Sequence, residues 1–139
     1  MSRQLLVMLA GLLMSVSSAS YAENPIKIGL TGTFTGPNAS NGIPYRNTAE
    51  VYPATMGGKP VQWIVLDDGG DATNAMKNAR RFVDVDKVDA IVGSTSSPTA
   101  MTLFDIANSS KTPQLAMSPV AIAADKRPFV FNVPQPVPL

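Results

Sequence analysis

The 139-residue chain contains no cysteine and no histidine. Without cysteine there is no disulfide framework, no Cys-His catalytic pair and no thiol for lipid attachment. Without histidine, Ser-His-Asp triads and the usual zinc sites cannot be assembled. An excess of either charge is missing too, with 11 Lys and Arg against 10 Asp and Glu. Nucleic acids and anionic membranes select concentrated basic surfaces, so neither is expected as a partner. The apolar run from Leu5 to Met14 has ten residues, well short of the roughly 20 needed to cross a bilayer.

That run fits an export signal instead. Met1-Ser2-Arg3 supplies the charged start, Leu5–Met14 the apolar core, and Ser20-Tyr21-Ala22 small residues at the −3 and −1 positions of a cleavage site. Residues 1–22 are therefore expected to be a signal peptide cleaved after Ala22, which places the mature protein in the periplasm. The mature chain starts at Glu23 and keeps 117 residues, enough for one domain with a modest core. Loss of Arg3 leaves it formally neutral, with ten residues of each sign.

The mature part alternates between short apolar runs and helical stripes. Ile26–Thr31 reads as a strand running into the Gly/Thr/Pro-rich segment Gly32–Asn38. Asn47–Met56 is a helix candidate weakened by Pro53 and stopped by Gly57-Gly58. Val61–Leu66 is nearly all apolar, the pattern of a strand buried on both faces, with Trp63 as core. From Asp71 to Val85 the residues Ala72, Ala75, Met76, Ala79, Phe82 and Val83 share one helical stripe, with Asp71 as N-cap. Val88–Gly93 is a further strand, followed by the hydroxyl-rich turn Ser94–Ser97. A helix opening at Pro98 carries the stripe Ala100, Leu103, Phe104 and Ala107. Pro113–Met117 reads as a strand and Phe129–Val133 as another. This βαβαβαβ order predicts an α/β fold, a doubly wound parallel sheet with helices on both faces. Ligands of such sheets bind beyond the carboxyl ends of the strands, which selects the loops 32–42, 67–71, 93–98 and 117–122.

Two groups on that face carry chemistry. Ser94-Thr95-Ser96-Ser97-Pro98 offers hydroxyls ahead of a helix start, where the free N–H groups of Thr99 and Ala100 favour an anion such as a carboxylate. On the residues alone, the plainer reading of Ser97 is a cap for the helix opening at Pro98, ahead of a combined cap and ligand role. Asp67-Asp68 could gather a divalent cation, but acids beside Gly69-Gly70 are more ordinarily turn formers bonded to backbone N–H groups. The segment Gly32–Pro37 matches neither the P-loop nor the dinucleotide fingerprint, so no nucleotide or other cofactor is expected.

Taken in order, several pieces resemble the type I periplasmic solute-binding proteins of ABC transporters, in particular the leucine/isoleucine/valine-binding branch. They are Ile26–Leu30 with Thr35-Gly36-Pro37 and Gly42, Gly57-Gly58, Asp67-Asp68 with Asp71, Ala79-Arg80, Val88–Gly93 with Ser97, and Pro113 with Ser118-Pro119. The resemblance implies a binding protein without catalysis, whose two lobes close on a small carboxylate and deliver it to an ABC permease. By position it implies that Ser97 binds the ligand carboxylate, with Ser96 beside it. Val120, Ala121 and Ile122 form the backbone-binding loop, and Asn41 lies near a pocket wall. Ile122 stands where amino-acid binders carry a threonine, which leaves room for an aromatic or aliphatic acid. A sensing domain of the same fold is the alternative, with an Asp-dependent metal hydrolase or phosphoacceptor behind it. Family members are about two to three times longer, so residues 23–133 are expected to be the N-terminal lobe and 134–139 a proline-rich tail of a truncated chain.

Overall fold

The computed structural model describes residues 24–122 and 125–134; the expected signal peptide and the tail beyond Pro134 lie outside them. Strand β1 (Ile26–Gly32) leads through a 3-10 turn (Ala39–Asn41) into helix α1 (Ile43–Ala49). Strands β2 (Thr55–Met56) and β3 (Lys59–Asp67) follow, then helix α2 (Ala72–Arg81), which widens into a π-helical stretch over Phe82–Asp86. The rest comprises β4 (Ala90–Val92), α3 (Ser97–Thr102), α4 (Phe104–Ser110), β5 (Gln114–Ala116) and β6 (Val130–Asn132).

The six strands lie in the order β2-β3-β1-β4-β5-β6, parallel throughout except for the antiparallel β2–β3 pair. The expected doubly wound α/β sheet is therefore present. Strand β1 sits between β3 and β4, so the winding reverses at its two sides. Such a reversal opens a crevice at the strand carboxyl ends, because the loops leaving β1 and β4 diverge to opposite faces.

One face of the sheet carries both buried hydrophobic clusters. Ala75, Ala79 and Phe82, at i, i+4 and i+7 of α2, pack with Val88, Ile91 and Leu103. Beside them Ala100, Phe104 and Ala107 pack with Ala116, Val120 and Val130. The stripe expected after Pro98 is thus buried in full, although a turn at Leu103 divides the helix in two. Asp71 caps α2 as expected, accepting from Asn74 N–H at 2.8 Å. Ala72 and Met76 of the expected stripe stay exposed.

Two expectations fail. The first helix does not span Asn47–Met56; it starts at Ile43, ends at Ala49, and buries none of its residues. Pro44 suits the first turn of a helix, and Gly42 immediately before it lies so close to the residue that follows β1 that a Cβ would fall 2.1 Å from the Thr33 carbonyl oxygen. Thr55 and Met56 pair instead with Pro60 and Lys59 across a hairpin turned at Gly57-Gly58, both at positive φ. The second failure concerns β3, which has no fully buried residue and alternates between half-buried and exposed. Among the described residues only the two-residue β2 lies beyond it, so the apolar run belongs to a strand near the sheet edge. Trp63 is only partly buried and stacks on Tyr52, ring centroids 4.3 Å apart.

Candidate functional site

The carboxyl ends of β1, β3 and β4 are tied together by one fully buried carboxylate, Asp68. Its Oδ1 accepts from Thr33 Oγ1 at 3.1 Å and Gly70 N–H at 2.9 Å. Its Oδ2 accepts from Ser94 Oγ at 2.6 Å and Thr31 Oγ1 at 3.3 Å. Four donors fill the roughly four lone-pair sites of a carboxylate, so the burial is compensated and the three loops are held in one arrangement. The hub continues outward: Thr99 Oγ1 lies 2.8 Å from Ser94 Oγ and 2.6 Å from Ser96 Oγ.

Asp67 serves the loop after β1. It accepts from Phe34 N–H at 2.8 Å, Gly69 N–H at 2.9 Å and the Thr35 hydroxyl. Partial burial pushes its carboxyl upward, but the bonds from Thr35, Gly69 and Phe34 together outweigh this and hold it below the usual carboxylate range. The turn reading of both acids is therefore borne out, since Gly69 and Gly70 each donate to one of them. Among the described residues no group of three or more potential metal ligands comes together.

Gly93 makes the junction at β4 possible. Its φ is 127°, and a Cβ there would lie 2.0 Å from the Thr31 carbonyl oxygen, so only glycine lets β4 turn away this close to β1.

The structure distributes the expected site residues unevenly. The helix cap falls on Ser96, and its hydroxyl caps no backbone group. Ser97 is already helical and donates to the Pro119 carbonyl at 2.6 Å, which joins the loops after β4 and β5. The plain-cap reading of Ser97 is thus replaced by a loop-to-loop bond. Helix α3 has only six residues, which shortens the dipole expected behind an anion. Val120 turns its side chain into the core, and its carbonyl accepts from Asn132 Nδ2 at 3.3 Å. Ile122 packs on the same cluster, while Ala121 is exposed. Asn41 is exposed in the 3-10 turn. Sequence reasoning missed the hub as a unit; Thr31 and Thr33, alternate residues at the end of β1, are the signal that could have pointed to it. A separate open groove of about 660 Å³ lies at the other end of the strands, between α2 and α4, lined by Arg80, Lys87, Asp105 and Ser109 among others.

Residues 25–134 match the family model described as periplasmic binding protein. The chain belongs to the periplasmic binding protein family. Solved members of similar structure include an extracellular ligand-binding receptor from Rhodopseudomonas palustris, 42% identical with a TM-score of 0.78, covering 81% of this chain and 32% of its own. A solute-binding protein of an ABC transporter from the same species, in complex with 3,4-dihydroxybenzoic acid, is 28% identical with a TM-score of 0.73, over 79% of this chain and 32% of its own. A leucine-binding protein from Thermotoga maritima is 28% identical with a TM-score of 0.70, over 78% and 32% respectively. No curated protein matches. The chain spans about a third of the length of these periplasmic binding protein structures, and the likeness to solute-binding proteins of ABC transporters bears out the resemblance drawn from the sequence.

Proposed function

We propose that this chain supplies the first-lobe half of a solute-binding site in an ABC importer, exported to the periplasm and without catalytic activity. The observation that carries the reading is the family match over residues 25–134, coupled to similarity to a transporter protein that holds an aromatic acid. The ligand is a small carboxylate, a branched-chain amino acid or an aromatic or aliphatic acid, seated where the sheet winding reverses. Ser96 and Ser97 border it on one side, the loop Val120, Ala121 and Ile122 on another, and Asn41 on the β1 side. Ser97 exchanges its exposed bond to Pro119 for the carboxylate; this costs little, because the freed carbonyl is solvated in its turn. Ala121 offers backbone polar groups, whereas Val120 contributes packing. An ABC permease in the inner membrane is the partner that receives the ligand.

Calorimetric titration of the purified chain with leucine, isoleucine, benzoate and 3,4-dihydroxybenzoate tests this. Saturable binding of at least one, weakened by Ser97→Ala, is the expected result. Absence of binding to all four removes the reading.

A further inference from the structure

The hydroxyl groups between Asp68 and Ser96 form a chain whose direction is set at its buried end. A carboxylate only accepts, so the single proton of Ser94 points to Asp68 Oδ2, 2.6 Å away. Ser94 then has no proton left for Thr99, whose own single proton goes to Ser94 Oγ at 2.8 Å or to the Ser96 carbonyl oxygen at 3.0 Å and in neither case to Ser96 Oγ. The 2.6 Å contact between Ser96 and Thr99 in turn requires the proton of Ser96. Ser96, partly exposed, is left with lone pairs only. Its neighbour Ser97 differs, since its proton rests on the exposed Pro119 carbonyl and is free to rotate.

We propose that Asp68 is a positioning residue which, through Ser94 and Thr99, holds Ser96 as an obligate hydrogen-bond acceptor beside a switchable donor at Ser97. This rests on the carboxylate-binding reading and narrows it. The site prefers carboxylates that also carry an N–H or O–H donor, such as an ammonium or a hydroxyl, over those that lack one. A donor-free acid leaves Ser96 facing carboxylate or apolar surface with an unpaired oxygen.

Matched ligand pairs test this on the purified chain: leucine against 4-methylpentanoate, which lacks only the ammonium, and 3,4-dihydroxybenzoate against benzoate. The donor-bearing member of whichever pair binds is expected to bind about threefold to tenfold more tightly, the worth of one hydrogen bond. Ser96→Ala lowers affinity for that member only. Thr99→Val, nearly isosteric, cuts the chain without touching Asp68, returns the Ser96 proton, and raises affinity for the donor-free member. Asp68→Asn shifts the ratio in the same direction as Thr99→Val. A purely structural role would move both members of a pair together. Equal affinities within each pair, or a ratio unchanged by both Ser96→Ala and Thr99→Val, overturns the inference while leaving carboxylate binding standing. Failure of all four compounds to bind overturns both.

Discussion

At the scale of single residues, the two adjacent acids show how position along a strand separates identical chemistry. Asp68 is fully buried and takes four donors, whereas Asp67 is exposed and closes the loop over Thr35. Asp68→Ala would leave the buried hydroxyls of Thr31, Thr33 and Ser94 without their acceptor. The expected loss is about 3–5 kcal/mol, measurable by urea unfolding. Asp67 carries a pH signature. Its folded carboxyl lies below the usual range near about 4. The charged form is thus favoured by folding, and its contribution is present in full above the unfolded value. As pH falls through the lower, folded value, that contribution disappears. The stability gap between the wild type and Asp67→Asn, read from urea midpoints, should be constant near pH 7 and close in strongly acidic solution. A gap that stays the same at both ends would show that its bonds to Phe34, Gly69 and Thr35 do not depend on charge.

At the scale of elements, α2 was the most legible part of the sequence and α1 the least. The α2 stripe and its cap are local: Ala75, Ala79 and Phe82 recur at helical spacing, and Asp71 sits three residues before the N–H it accepts from. Asp71→Ala is therefore expected to cost about 1 kcal/mol, seen as a lowered melting temperature with the spectrum of the folded chain unchanged. The extent of α1 was not local information. Its start depends on Gly42 approaching the carbonyl of Thr33, the residue that follows β1. Its early end leaves Thr55 and Met56 to pair with β3, which no helical pattern could announce. The same holds for β3, whose apolar composition resembles a central strand although among the described residues only a two-residue strand flanks its outer side.

At the scale of the whole molecule, among the described residues the sheet has one well-covered face and one that is exposed toward its two edges. The register aligns Val65, Leu30, Val92, Leu115 and Phe131 in one row across five strands. These residues alternate with Ile64, Leu66, Ile91, Ala116 and Val130 of the core clusters, so the row lies on the opposite face. Leu30 is buried, but Val65 is 39% and Phe131 53% exposed at the ends of the row. Substituting both by serine should reduce binding of an apolar fluorescent dye to the folded chain, with little change in unfolding midpoint; undiminished dye binding would place its apolar surface elsewhere. Some of this protein was determined by the sequence alone. The alternation of apolar runs and helical stripes specified a parallel α/β sheet, and the order of motifs specified the family, because both depend on residues close together in the chain. The tertiary structure decided which strand lies at the edge, where the sheet winding reverses, and which way the hydroxyls of Ser94 and Ser96 point. Those properties arise only when Asp68, at the end of β3, is brought beside loops 26 and more residues away along the chain. Hydrogen-bond direction is a property of the assembled network, and no single segment carries it.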